Sequence, residues 1–193
     1  MIKAKTHEFF MQKALDLAKQ AYEEGEIPIG CVIVSGERII GKGYNQVEKL
    51  GDATAHAEMI AITAASDFLN SKYLKNCTLY VTIEPCVMCG GALKWSQINK
   101  IIYGAPEENF GFWSKEVSGL PKKVEVESGI MEKECSELIL QFFKERRESA
   151  IKWPRTSGRS DCARTAIRRS NDRRKGVPTH CRCKAGAPSL CRI

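Results

Sequence analysis

No run of eighteen apolar residues occurs in this 193-residue chain, which rules out a membrane-spanning helix. Its first twenty residues, MIKAKTHEFFMQKALDLAKQ, carry a charge every few positions and lack the apolar centre of a secretion signal. A cytoplasmic, reducing location is expected. There, nine cysteines serve as free, catalytic or metal-bound thiols rather than as disulfides. Histidine is scarce, with His7, His56 and His180 alone. No internal repeat is visible, and a composition of 43% hydrophobic and 27% charged residues suits one soluble domain with a full core.

Charge is unevenly placed. The formal net charge is +7, yet residues 1–150 hold 18 Lys+Arg against 21 Asp+Glu, and residues 151–193 hold 12 against 2. The positive excess therefore belongs to the last segment, and basicity gives no argument that the folded part binds nucleic acid. After Ser149 the apolar periodicity stops and arginine replaces lysine as the main cation. Residues 1–150 are expected to form the domain, and residues 151–193 a basic, disordered tail. An arginine-rich RNA-binding arm is one reading of that tail. The abruptness of the change favours a segment foreign to the domain. Its His180, Cys181 and Cys183 lack the paired spacing of a metal site.

Within residues 1–150, Phe10, Ala14, Leu17, Ala18 and Ala21 recur at helical spacing and stop before Gly25. IGCVIVSGERIIGKGYN reads as a hairpin turning at Ser35-Gly36, and TAHAEMIAITAASDFL as a helix capped by Thr54 or Asp52. CTLYVTI suits a strand buried on both faces. A helix opened by Pro85 follows, then strands at NKIIYGA and KVEVES, and a closing amphipathic helix over IMEKECSELILQFFKERRE. This order predicts an α/β fold, a three-layer α/β/α sandwich around a five-stranded mixed sheet.

Cys86 and Cys89 sit three residues apart after Pro85, in TIEPCVMCGGAL. Such a pair fits a redox couple, half a metal site or two core thiols. At the start of a helix both sulfurs share one face, and the positive helix end favours thiolate. His56, opening the other apolar helix, breaks the tie. One imidazole and two thiolates make three zinc ligands and leave a fourth position for water, whereas a structural site would want four protein ligands. Cys31 and Cys77, at strand positions, are expected as buried small hydrophobes. Glu58 shares the helical turn of His56 without ligating. It is placed to take a proton from zinc-activated water and pass it to a leaving group. His-x-Glu, 26 intervening residues, then Pro-Cys-x-x-Cys matches the signature of zinc nucleobase deaminases, in which water replaces an exocyclic amine and ammonia leaves.

Longer stretches extend the match. AYEEGEIPIGCVIV, YNQVEKLGDATAHAEMIAI, YLKNCTLYVTIEPCVMCGGAL and QFFKERR resemble the bacterial tRNA-specific adenosine deaminase family, over nearly all of residues 5–148. The resemblance implies a cytidine-deaminase-like fold, one zinc per subunit on His56, Cys86 and Cys89, and Glu58 as proton carrier. It further implies that Asn45 hydrogen-bonds the purine ring, that the backbone around Ala57 and Glu84 meets the base edges, and that Ile29 helps wall the pocket. Phe142, Phe143, Arg146 and Arg147 would lie by the anticodon. The implied reaction turns the wobble adenosine of a tRNA, usually the arginine acceptor, into inosine, in a homodimer with no organic cofactor. The chain departs from the family at Ala53, usually proline, and at Glu107 and Asn109, more often aspartate and a basic residue. RNA phosphates would then be met by Lys72 with Lys75, Lys122 with Lys123, and Arg146 with Arg147. A deaminase of free purines such as guanine shares the motif. A non-catalytic RNA-binding zinc protein is the reading from another class, and Glu58, which such a protein is free to lose, counts against it.

Overall fold

The structure, a computed structural model, describes residues 5–113 and 124–152. Lys122, Lys123 and all but the first two residues of the expected tail lie outside them. Helix α1 (His7–Glu23) buries Phe10, Ala14, Ala18 and Ala21 as the periodicity requires. Met11 and Leu15 complete the stripe, and Leu17 sits at its margin, half-buried. Strands β1 (Gly30–Ser35) and β2 (Arg38–Tyr44) form the antiparallel hairpin. Its turn falls one residue later than expected, on Gly36-Glu37, because Ser35 still pairs with Arg38 and Gly36 supplies the positive φ of 59°.

A one-turn helix, α2 (Val47–Leu50), follows; four residues are too few to carry a periodic signal in the sequence. Then come α3 (Ala57–Leu69), β3 (Cys77–Ile83), α4 (Val87–Ser96), β4 (Lys100–Ala105), β5 (Glu125–Ser128) and α5 (Glu132–Lys152). The sheet order is β2-β1-β3-β4-β5. β1 runs antiparallel to both neighbours, whereas β3, β4 and β5 are parallel.

Strand alternation divides the core in two. Cys31, Ile33, Leu79, Val81 and Ile101 pack with Ala57, Ala61 and Ala65 of α3 and Leu93 of α4. Val32, Val34, Tyr80 and Ile102 pack with α1 and, through Cys135, with α5. The result is the expected three-layer sandwich on a mixed five-stranded sheet. Cys31 and Cys77 are both buried strand residues.

Helix α3 lies very close to the sheet. A Cβ at Gly43 would run into the carbonyl oxygen of Ala57, and one at Gly41 into that of Ala61. The alanines at positions 57, 61 and 65, one per helical turn, keep the facing surface equally low. This approach sets the position of the first turn of α3.

Candidate active site

Two helix starts converge at the site. His56 is the N-cap of α3 and Cys86 the N-cap of α4, both with extended backbone (ψ 154° and 171°). Two expectations are corrected here. Thr54 and Asp52 do not cap α3; the Asp52 carboxylate instead accepts the Thr54 N–H and hydroxyl, both at 2.8 Å, in a local turn. Pro85 is not the first helical residue but precedes the cap, because Cys86 C=O already accepts the first helical bond, from Gly90 N–H at 2.8 Å. The cap geometry lets the His56 and Cys86 side chains project beyond the helix ends, while Cys89 reaches the same point from inside the first turn.

His56 Nδ1 lies 3.6 Å from Cys86 Sγ and 3.6 Å from Cys89 Sγ. All three ligand atoms fall within 4.8 Å of one another, the one such cluster among the described residues. A tetrahedral zinc with ordinary Zn–S and Zn–N bonds would hold nitrogen and sulfur about 3.6 Å apart. The donor set and its spacing therefore fit zinc. Cys89 is buried and the other two are half-buried, which leaves an approach from one side.

Electrostatics separate the groups. The hydrogen bond from Cys89 and then that from His56 hold the Cys86 thiol down at about 4, so it is ready as thiolate. The same bond to Cys86, with burial, pushes Cys89 up, and the bond to Cys86 raises His56. Glu58 is 4% exposed, and burial lifts its carboxyl to about 7.

Glu58, His56 and Cys86 line a cavity of about 330 Å³. Ile29 forms part of its wall, and so do Phe143 and Glu84. Asn45 lines an adjoining cavity of about 400 Å³, with Phe142 and Arg146; the two cavities share Ile27, His56 and Phe143. Phe142 is buried and Phe143 is 40% exposed, so the adjacent rings divide between core and surface. The Arg146 guanidinium donates to Gly25 C=O and lies over the Phe142 ring. Ala57 packs its methyl into the core instead of lining either cavity. Arg147 is exposed at the end of α5 and lines neither.

The Glu84 side chain has a structural part. Its carboxylate accepts the backbone N–H of Glu107 at 3.1 Å and of Trp113 at 2.8 Å, and so ties down the segment after β4. Residues that sequence reasoning missed are Glu26, Ile27, Phe110 and Ile139. Ile139 lies four positions before Phe143 on one helix face, a signal that was available. Glu26 was not readable: it is 1% exposed, and its carboxylate accepts Lys49 N–H at 2.7 Å and Asn45 Nδ2 at 3.3 Å. That carboxylate fixes which way the Asn45 amide faces.

Comparison with known proteins agrees with this geometry. The profile of the cytidine and deoxycytidylate deaminase zinc-binding region matches residues 4–105. The tRNA-specific adenosine deaminase of Aquifex aeolicus (strain VF5) is 46% identical over 149 residues, 75% of this chain and 98% of the relative. A solved structure from work on A-to-I editing by tRNA:A34 deaminases at the wobble position of transfer RNA is similar at a TM-score of 0.64 and 36% identity. It is covered over 97% of its length by 67% of this chain. The guanine deaminase of Bacillus subtilis is also 36% identical, at a TM-score of 0.53, over 62% of this chain and 82% of that one. By motif, fold and sequence the chain belongs to the tRNA-specific adenosine deaminases, within the cytidine and deoxycytidylate deaminase family.

Proposed function

We propose that the chain hydrolyses the wobble adenosine of a tRNA anticodon, foremost that of the arginine tRNA, to inosine and ammonia. It does so as a cytoplasmic homodimer with one zinc per subunit, held by His56, Cys86 and Cys89. The observation that carries the reading is Glu58, a buried carboxylate in a cavity wall beside three side chains that could hold a metal. A zinc ion held there would supply Lewis acidity that favours deprotonation of water near neutral pH. Glu58 accepts a proton from the attacking water and delivers it to the departing amine; a C–O bond forms at the ring carbon, the C–N bond breaks, and ammonia leaves. Ile29 walls the purine, the backbone at Ala57 and Glu84 meets its edges, and Asn45, oriented by Glu26, hydrogen-bonds the ring. Phe142, Phe143 and Arg146, around the second cavity, take the rest of the nucleotide, and Arg147 takes a phosphate.

The tRNA reading is favoured over free guanine by the 46% identity of the Aquifex relative, and by the higher TM-score and fuller coverage of the tRNA:A34 deaminase structure at an identity equal to that of the guanine deaminase. The test is inosine formation in a wobble-adenosine anticodon stem-loop by the full chain, beside ammonia release from free guanine and adenosine. Inosine from the stem-loop is expected. Ammonia from guanine without inosine would assign the chain to purine salvage.

Metal dependence is tested separately. A chelator is expected to abolish inosine formation, and added zinc to restore it. Cys89→Ala is expected to bring zinc, measured by atomic absorption, from about one per chain to under about a tenth of that, since three ligands become two. Full zinc in that variant would move the metal elsewhere.

A further inference from the structure

Phe110 is 72% exposed, yet its side chain lines the same cavity as Glu58. Among the described residues its ring stacks on no other aromatic. Exposing a phenyl ring at a cavity mouth gives up burial that folding would otherwise gain. The ring is nevertheless held on a firmly anchored support. Glu107 and Trp113, on either side, donate their N–H groups to Glu84, and Phe112 N–H donates to Pro85 C=O at 2.9 Å. Gly111 N–H reaches Glu107 C=O at 3.0 Å, and Asn109 N–H reaches the Glu107 carboxylate at 2.9 Å. The Phe112 ring presses on Gly90 of α4, where no Cβ would fit, and Trp113 stacks on Tyr103 of β4 at 5.7 Å. The backbone on both sides of Phe110 is thus fixed, and its ring points outward beside the place where a base must enter.

We propose that Phe110 is a stacking platform for a nucleobase immediately next to the target nucleotide. The inference rests on the proposed RNA deamination. A target base that enters the cavity leaves the stack of its strand, so its neighbour loses a stacking partner, and an exposed aromatic ring on a rigid support replaces it. Every base has a π-face, so the platform supplies affinity and position with little sequence preference. Phe143, on α5, is 40% exposed and faces the same cavity, so the opening is bordered by aromatic rings from two separate elements.

The experiment compares kcat/KM of the full chain and Phe110→Ala on three wobble-adenosine stem-loops: intact, abasic on the 5′ side of the target, and abasic on the 3′ side. On the intact RNA, Phe110→Ala is expected to lose roughly ten- to hundredfold. Wild type is expected to lose as much on one of the abasic RNAs, and Phe110→Ala to lose nothing more on that same RNA. Phe110→Trp should retain wild-type behaviour, and because the ring is exposed the melting temperature should not move. The proposal is overturned if Phe110→Ala stays within twofold of wild type, or if its loss multiplies with both abasic losses. It is equally overturned if Phe110→Ala changes the sedimentation coefficient, which would assign the ring to contact between copies. No inosine from wild type on any stem-loop would remove the RNA reading itself, and this inference with it.

Discussion

Glu58→Gln is expected to lower kcat by about a thousandfold or more, with zinc content and melting temperature at wild-type values. The substitution is nearly isosteric and sits in a wall that is otherwise unchanged, so the cavity and the three ligands stay in place. A carboxamide can still donate and accept hydrogen bonds, but it cannot carry a proton between water and the departing amine. Removing an ionisable group that burial disfavours takes away a destabilising influence, so a loss of activity through unfolding is not expected. Two measurements decide the matter together: single-turnover inosine formation and metal content. A rate within tenfold of wild type would take Glu58 out of the proton path. Loss of zinc alongside loss of rate would make Glu58 a support for the metal rather than a carrier of protons.

Gly43→Ala is expected to destabilise the domain by about 3 kcal/mol or more, lowering the melting temperature by about 10 °C, and to reduce zinc binding as well. The added methyl would meet the carbonyl oxygen of Ala57, a backbone atom that no rotamer change can move. Either β2 bends or the first turn of α3 lifts. That turn holds Glu58 and follows His56 directly, so relief of the clash is paid in site geometry. Gly36→Ala is the control for added bulk alone, since nothing lies within 4 Å of a Cβ there; strain at its positive φ should cost about 1 kcal/mol without loss of zinc. Equal zinc affinity in Gly43→Ala and wild type would show that the site tolerates movement of α3.

The sandwich was legible because each layer announces its period. CTLYVTI is a nearly continuous apolar run, broken only by Thr78 and Thr82, and β3 is the central strand, buried along almost its whole length. Alternation along β1 sorts Cys31 and Ile33 from Val32 and Val34, and the two sets do enter separate layers. The cluster that could hold a metal was legible because a scarce histidine and a Cys-x-x-Cys pair stand at the spacing such a site requires. The caps were misplaced because capping propensity assumes that the best cap residue is used for capping. Here the cap positions are taken by His56 and Cys86, whose side chains are needed elsewhere. Glu26 and Phe110 were invisible for opposite reasons. A glutamate in a run of glutamates reads as surface, and its burial depends on Asn45 and Lys49, about twenty residues away. A phenylalanine reads as core, and only the fold shows Phe110 outside it.

The anchoring by Glu84 has an evolutionary consequence. Among the described residues its carboxylate holds Glu107 and Trp113 through their backbone N–H groups, and those two contacts do not depend on which side chains stand there. Gly111 is the exception, because a Cβ there would press on that carboxylate. The scaffold therefore behaves like a socket with an exchangeable insert. Residues 108–110 can drift, or be replaced from a relative, while Glu58 and the three residues that could hold a metal, placed by α3 and α4, stay in register. Substrate preference can change in this protein without the reaction having to be reinvented.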